Sequence, residues 1–187
     1  MAKIIAILNG KGGVGKTTST INIATAIQRK GFSVAVVDTD PQGSISNWFD
    51  EEKCAFDLTE AASEKEVYQV RKSLKSYDYV IIDGAAAISA ISSAAVMVSD
   101  LVVIPVTPSP LDFAACGAIL AVIEARQDLQ PVEARFLITK KIPHSKMLAV
   151  LKDSIEDTGV PAFRNVYLSA SGLRKSYARW QYRIRYG

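Results

Sequence analysis

A glycine-rich stretch near the amino terminus has the composition and spacing of a phosphate-binding loop. Residues 10–18 read Gly-Lys-Gly-Gly-Val-Gly-Lys-Thr-Thr and follow the apolar run at 4–8. In the pattern Gly-x-x-x-x-Gly-Lys-Thr, glycines let backbone N–H groups turn towards phosphates, the lysine reaches the terminal phosphates, and the hydroxyl binds magnesium. The sequence therefore predicts that a nucleoside triphosphate and Mg²⁺ bind at Gly10, Lys11, Gly12, Gly13, Val14, Gly15, Lys16, Thr17 and Thr18.

Three aspartates lie at the ends of predicted strands, where the ligands of parallel sheets collect. Asp38 and Asp40 lie in Val-Val-Asp-Thr-Asp-Pro-Gln, and Asp83 closes Tyr-Val-Ile-Ile-Asp-Gly. An apolar strand that ends in aspartate downstream of a phosphate loop is typical of a magnesium-holding carboxylate, so Asp83 is predicted to act with Thr17. Two structural alternatives remain open: Asp83 could bond the following turn, and Asp40 before Pro41 is also a good helix N-cap.

Short β-branched runs alternate with helical patterns along the chain, as in a parallel sheet covered by helices on both faces. Strands are predicted at 4–8, 34–38, 79–83, 101–106 and 135–139, with a weaker sixth at 160–163. Helices are predicted at 17–30, 64–75, 88–98, 111–126 and 145–157. The expected fold class is α/β, with a doubly wound, mostly parallel sheet that brings the loop and the strand ends together.

The composition indicates one globular core without a membrane span or a secretion signal. A chain of 187 residues with 49% hydrophobic content can bury one sizeable core. Its apolar runs are no longer than strands, and Lys3 and Lys11 flank the first one, which is too short for a signal peptide. A cytoplasmic protein is therefore expected. Cys54 and Cys116 form no close pair and suggest neither a disulfide framework nor a zinc site.

The early lysine of the loop, Lys11, is not required by the general phosphate-loop pattern. Lys-Gly-Gly-x-Gly-Lys-Thr-Thr resembles the deviant Walker A loop of the ParA/MinD group of ATPases, which predicts a P-loop NTPase of that type. The resemblance implies that ATP and ADP are the ligands and that Lys11 reaches the nucleotide of a partner subunit. A solvated lysine on an exposed turn is the alternative.

The segment Asp-Thr-Asp-Pro-Gln also resembles a motif of these ATPases, the A′ motif. This resemblance implies that Asp40 orients the attacking water and that Asp38 supports the magnesium shell. The catalytic candidates are thus Lys11, Lys16 and Asp40, and the metal candidates are Thr17, Asp38 and Asp83.

Further segments are similar to ParF-type partition proteins, which are small ParA ATPases. The similar segments are 61–68, 92–113 and 132–141, and the likeness extends from about residue 3 to about residue 164. It implies that the proline-rich loop after the fourth strongly predicted strand, residues 105–112, contributes to a dimer interface, with Pro105 among the nucleotide-binding residues. Prolines stiffen such a loop at low entropic cost, and a rigid turn without a partner is the alternative.

The similarity ends near residue 165, where the composition also changes. All 19 acidic residues lie at or before Asp157, and six basic residues follow it. Residues 1–164 are predicted to be the P-loop ATPase domain, and 165–187 a basic, aromatic tail that diverges from the family. This tail could bind DNA, lie on a membrane surface, or be a truncated or out-of-frame end.

The resemblance implies an ATP-dependent dimeric switch that hydrolyses ATP slowly and partitions plasmid or chromosomal DNA. In this hypothesis the closed homodimer binds DNA without sequence preference, hydrolysis releases it, and a ParB/ParG-type centromere-binding protein stimulates turnover. The protein would be nucleoid-associated, and a membrane partner is not expected. A MinD-like membrane-cycling positioning ATPase is the alternative. An iron–sulfur ATPase is disfavoured because Gly84, Ala85 and Ala86 stand where that relative has a cysteine.

Overall fold

Six strands alternate with helices in the part of the chain that the computed structural model describes, residues 1–43, 45–46, 49, 54, 56–127 and 129–163. The strands are β1 (Lys3–Ile7), β2 (Val34–Asp38), β3 (Asp57–Glu60), β4 (Tyr79–Asp83), β5 (Leu101–Val106) and β6 (Glu133–Ile138). The helices are α1 (Lys16–Gln28), α2 (Glu64–Ser73), α3 (Ala90–Val98), α4 (Pro110–Ala114), α5 (Gly117–Gln127) and α6 (Lys146–Asp157).

The strands form one parallel sheet in the order β3-β2-β4-β1-β5-β6. Three strands lie on one side of β1 and two on the other, so the direction of winding reverses at β1. Right-handed crossovers then place helices on both faces, and ligands of such sheets bind outside the strand ends at the reversal. The predicted doubly wound α/β fold is confirmed.

Each face of the sheet has its own hydrophobic core. On one face, residues of α1 such as Ala24 and Ile27 pack against Val34 and Val36 of β2. The larger core on the opposite face combines the sheet with α2, α3, α5 and α6, and Phe136 of β6 is its largest fully buried side chain. Because both faces are covered, the strands are nearly continuous apolar runs, which explains why the sequence located most of them.

The strand register brings the ends of three central strands to one level. Ile7 of β1 pairs with Asp83 of β4, and Asp83 pairs in turn with Asp38 of β2. The glycine-rich loop after β1 and both aspartate-bearing strand ends therefore leave the sheet at the same edge. This alignment builds the candidate site.

Three elements differ from the sequence-based expectation. β3 was not predicted, because Asp57-Leu58-Thr59-Glu60 is a short, mostly exposed edge strand without an apolar pattern. The helix predicted over 111–126 is two helices, interrupted before Gly117, a residue of low helix propensity. The weak strand predicted at 160–163 is a single bridge between Phe136 and Ala162. The predicted tail, 165–187, lies outside the described residues.

One glycine at the β4 end has no room for a side chain. A Cβ on Gly84 would lie 2.4 Å from Leu8 Cδ2 and 3.1 Å from the carbonyl oxygen of Ile7. We expect Gly84→Ala to lower the free energy of unfolding by about 1–3 kcal/mol, because the buried β1 end must shift. Urea denaturation measures the change. Gly117→Ala is the matched control: its Cβ meets nothing within 4 Å, and alanine favours a helix. Equal losses in both variants would contradict the close packing at Gly84.

Candidate functional site

The glycine-rich loop leaves β1 and ends at the amino terminus of α1. Gly13 and Gly15 have φ angles of 74° and 96°, in the left-handed region that glycine adopts without strain. Gly15 is the N-cap of α1, and no side chain caps the helix there. The first N–H groups of α1 are therefore free to bind an anion, as helix amino termini bind phosphates.

The lysine at the end of the loop points back into it. Lys16 is only 7% exposed, and its Nζ donates a hydrogen bond of 2.9 Å to the carbonyl oxygen of Lys11. Burial lowers the pKa of Lys16, against the raising effect of Asp83 and Asp40. An ammonium group held over the loop, with a carbonyl as its partner, can exchange that carbonyl for phosphate oxygens.

Two hydroxyls of α1 hold the carboxylate of Asp83 at the end of β4. Thr17 Oγ1 donates to Asp83 Oδ2 at 2.8 Å, and Thr20 Oγ1 donates to Asp83 Oδ1 at 2.7 Å. Asp83 is fully buried, and burial raises its pKa to about 6 in spite of both bonds. The predicted pair of Thr17 and Asp83 is thus in contact. Thr20 was missed, although it lies one helical turn after Lys16, on the same side of α1.

The aspartates at the end of β2, Asp38 and Asp40, organise the loop that follows them. Asp38 is buried, with Oδ1 accepting from the amide of Asp40 at 3.0 Å and Oδ2 accepting from the amide of Ile45 at 3.1 Å. Asp40 Oδ1 accepts from the amide of Gln42 at 2.9 Å, so this side chain closes a turn. No helix begins at Asp40 among the described residues, and the helix N-cap alternative is not what the structure has.

The early lysine forms an ion pair within its own chain. Lys11 Nζ donates to Asp112 Oδ1, and Thr107 Oγ1 donates to the other carboxylate oxygen. Burial acts to raise the pKa of Asp112, but these hydrogen bonds outweigh it and hold the pKa below its ordinary value. Lys11 is therefore not a freely solvated lysine. Its partner is 101 residues away in sequence, so loop composition could not reveal it.

The other predicted loop residues are close to the same strand ends. Gly10 and Gly12 approach Ile88 and Ala86 in the segment after β4. Val14 is buried, and its carbonyl oxygen accepts a 2.7 Å bond from Thr139 Oγ1 beyond β6. Thr18 lies in the first turn of α1, where no described contact ties its hydroxyl to the site.

The proline-rich segment starts one element earlier than predicted. Pro105 is a buried residue inside β5, not part of the loop after it, because its register with Leu137 continues the pairing with β6. Pro110 begins α4, at a position where the missing N–H costs nothing. The part of Pro105 that faces the glycine-rich loop is its carbonyl oxygen, which accepts a 2.7 Å bond from Asn9 Nδ2. Asn9 was not among the predicted residues.

The family of the chain follows from its sequence match over almost the whole length. The profile described as the CobQ/CobB/MinD/ParA nucleotide binding domain matches residues 5–179. The chain belongs to this family. A relative of the same kind is the maintenance of carboxysome distribution protein A of Gloeobacter kilaueensis, which is 35% identical over 165 residues. The match covers 86% of this chain and 74% of that protein.

Solved structures of ParA-type and related proteins share the fold of this CobQ/CobB/MinD/ParA family member. A plasmid partition protein of Borrelia burgdorferi bound to AMPPNP has a TM-score of 0.69 and 21% identity, with 90% and 86% of the two chains covered. The pNOB8 ParA bound to nonspecific DNA has a TM-score of 0.72 and 21% identity, covering 91% and 85%. A cobyrinic acid a,c-diamide synthase of Mycobacterium smegmatis with an ATP analogue and magnesium has a TM-score of 0.70 and 20% identity, covering 84% and 82%.

The residues of the family's nucleotide-binding domain in this chain suit a magnesium ion. Mg²⁺ prefers oxygen ligands and keeps several waters, and the touching oxygens of Thr17 and Asp83 offer such a donor pair. Asp83 is also a buried carboxylate that the described residues balance with only one nearby cation, Lys16. Both oxygens of Asp38 are bonded to amides, so a contribution from Asp38 would pass through water. Among the described residues, none of the helices has the length and apolar character to cross a bilayer.

The buried carboxylate has a cost that binding can offset. The pKa of Asp83 is about 6 in the fold against 3.8 for an ordinary aspartate. The ionised carboxylate therefore lowers the free energy of unfolding above pH 6, and this loss is recovered as the pH falls. We expect Asp83→Asn to stabilise the nucleotide-free chain at pH 7.5 by about 1–3 kcal/mol. The variant should also lose any change in thermal stability that Mg²⁺ causes in the parent chain. Thermal denaturation at several pH values measures this, with the exposed Asp153→Asn as control. A destabilised Asp83→Asn chain at pH 7.5 would contradict the argument.

Proposed function

We propose that the protein is an ATP-driven dimeric switch that binds DNA in its ATP state and acts in DNA partition. The observation that carries the proposal is the glycine-rich loop with two lysines, one directed into the loop and the other held at its rim. A nucleotide-binding site needs the first lysine, Lys16, but not the second. Lys11 has a role in the site if its ammonium group binds a phosphate outside its own loop.

Within one subunit, the chain supplies positioning and positive charge for phosphoryl transfer. The free amides at the start of α1 bind phosphate oxygens, and Lys16 leaves the carbonyl of Lys11 to do the same. Thr17 and Asp83 would hold Mg²⁺, which supplies charge neutralisation at the phosphates when bound. Asp40, at the turn after β2, orients the water for in-line attack.

The second subunit completes the site through Lys11. When two subunits face each other across their nucleotides, Lys11 exchanges Asp112 for the partner's triphosphate and stabilises the charge that develops during hydrolysis. Ion-pair exchange of this kind is inexpensive, because the side chain of Lys11 is 41% exposed and its pair with Asp112 is partly solvated. Turnover then depends on dimerisation, and ADP dissociates the dimer.

The proposal extends to DNA through charge and through the relatives. Lys141, Lys146 and Lys152 line a shallow cavity of about 550 Å³ beside α6, together with His144. This basic surface of the domain at 1–164 and the basic tail at 165–187 are two candidate contacts to DNA phosphates. Support for the biological role comes from the ParA and plasmid partition proteins that share the fold. A ParB/ParG-type partner would stimulate hydrolysis and release the DNA at the nucleoid.

The DNA-bound state is tested by its salt dependence. If a dimer neutralises about six phosphates, its affinity for a random duplex should fall roughly a thousandfold between about 50 and 200 mM salt, because counterions are released on binding. Fluorescence anisotropy with a non-hydrolysable ATP analogue measures the slope, and ADP should weaken binding. Deleting 165–187 flattens the slope if the tail supplies contacts, whereas Lys146→Glu flattens it if the surface beside α6 does.

Membrane binding is the competing outcome, and co-sedimentation with vesicles tests it. A MinD-like protein would pellet with anionic vesicles in the presence of ATP and would leave the duplex unbound at every salt concentration. That result would replace the partition role while keeping the ATP-driven dimer. Absence of an ATP-dependent dimer in light scattering, with either duplex or vesicles present, would overturn the proposed switch itself.

A further inference from the structure

A fully buried asparagine sits between β1 and the glycine-rich loop, and the mechanism above does not use it. Asn9 has no exposed surface. A buried side-chain amide costs free energy unless its donors and acceptor are paired, so its partners define what it does. Asn9 is paired at both ends of the amide, and the partners belong to three different parts of the fold.

The amide of Asn9 joins the loop to β5. Its Oδ1 accepts a 2.9 Å bond from the backbone N–H of Lys11. Its Nδ2 donates at 2.7 Å to the carbonyl oxygen of Pro105 and at 3.3 Å to Cys116 Sγ, which lies between α4 and α5. The side chain thereby fixes the distance between the first turn of the loop and the segment that carries Asp112.

Together with two further contacts, these bonds form a closed ring around Lys11. Cys116 Sγ donates to the carbonyl oxygen of Asp112 at 3.4 Å, and the carboxylate of Asp112 accepts from Lys11 Nζ. Lys11 is therefore held at its backbone N–H by Asn9 and at its side chain by Asp112. Its carbonyl oxygen is bound by Lys16, the group that must turn to phosphate. Each polar group of Lys11 has a separate partner.

We propose that Asn9 is a positioning residue, which sets the backbone of Lys11 and couples occupation of the glycine-rich loop to the segment at 105–112. This inference rests on the proposed function, in which Lys11 acts across the dimer. When phosphate draws Lys16 away from the carbonyl of Lys11, Asn9 keeps the N–H side of the same residue in register with β5. The side chain of Lys11 then changes its partner while its backbone keeps its position in the loop.

Asparagine is suited to this task because one planar group carries an acceptor and a donor at a fixed spacing. Aspartate would set a carboxylate oxygen against the carbonyl of Pro105 and lose the donated bond. Alanine would leave the N–H of Lys11 and the carbonyl of Pro105 unpaired in a buried site. Neither change touches Lys16, Thr17 or the free amides of α1, so direct contacts with the nucleotide remain.

The first experiment separates positioning from nucleotide binding. We expect Asn9→Ala to keep the Kd of ATP in the monomer within about threefold, while kcat and ATP-dependent dimerisation fall about 10–100-fold, since a small misplacement of a catalytic group has effects of this size. Asn22→Ala, which removes a part-buried bond to the carbonyl of Thr18 within α1, is the control. Parallel losses in ATP affinity and thermal stability, or no change in kcat, would overturn the proposal.

The second experiment measures the coupling between the glycine-rich loop and the segment at 105–112, and it requires neither dimerisation nor ATP hydrolysis. In hydrogen–deuterium exchange of the nucleotide-free chain, Asn9→Ala should speed exchange in peptides from both the glycine-rich loop and 105–112, with α6 as the unchanged internal reference. Acceleration confined to the loop would overturn the coupling. If the parent chain shows no ATP-dependent dimer, the proposed function fails, and the exchange data still decide the role of Asn9.

Discussion

Replacing Lys16 with alanine is expected to abolish tight binding of ATP. Lys16 is 7% exposed, and among the described residues its ammonium group has the carbonyl of Lys11 as its only hydrogen-bond partner, so it can turn to a phosphate. Loss of a hydrogen bond to a charged group costs about 3 kcal/mol, which weakens the Kd about a hundredfold. The described residues offer no second buried ammonium in the loop to replace it. Isothermal titration calorimetry with Mg²⁺ and ATP measures the difference.

The control for this variant is Lys30→Ala, which removes the same charge from the exposed turn after α1. It should bind ATP as the parent chain does. Circular dichroism should show both variants folded, because Lys16 has a lowered pKa and its removal relieves a buried charge. An unchanged ATP affinity in Lys16→Ala would remove the phosphate-loop assignment and everything built on it.

Replacing Lys11 with alanine should leave ATP binding intact and eliminate turnover. The side chain pairs with Asp112, outside the loop, so we expect the monomer to bind the nucleotide without it. A positive charge supplied in trans to a transferring phosphoryl group is worth about 10³–10⁵ in rate, and we expect a fall of at least about 10³. Phosphate release measures the rate, and light scattering with ATP measures dimerisation.

Asp112→Asn provides the opposite change at the same ion pair. It frees Lys11 from its negative partner while keeping an acceptor for Thr107, so the ATP-dependent dimer should form at lower protein concentration. If Lys11→Ala dimerises and hydrolyses ATP like the parent chain, Lys11 acts only within its own subunit. Similar behaviour of both variants would contradict the exchange of Asp112 for a phosphate.

Local sequence patterns predicted those parts of the site that local geometry determines. The loop at 10–18 needs glycines at Gly13 and Gly15, because the backbone there has positive φ, and this requirement is visible in the residue types. Asp83 was identified because a buried strand of a parallel sheet reads as an apolar run, and the residue that ends it faces the ligand edge. The fold class followed from the same alternation of runs.

Long-range polar contacts were beyond the reach of such patterns. In the sequence, nothing distinguishes Thr107 and Asp112 from the other residues of the proline-rich segment. They come close to Lys11 because the sheet order places β5 beside β1. Asn9 precedes the recognised loop by one residue, and its partners Pro105 and Cys116 are about a hundred positions away. These contacts depend on tertiary structure alone. The edge strand β3 was missed for a different reason, since exposed strands carry no apolar signal.

The buried thiol between α4 and α5 gives the protein an internal reporter of its own motions. Burial raises the pKa of Cys116 to about 11, so at neutral pH almost none of it is the reactive thiolate. Alkylation of Cys116 in the native chain therefore requires this junction to open, and its rate measures the free energy of that opening. The half-buried Cys54 provides a second thiol for comparison in the same sample. The mass gained on alkylation would then record how often the segment that holds Lys11 opens, without an engineered cysteine.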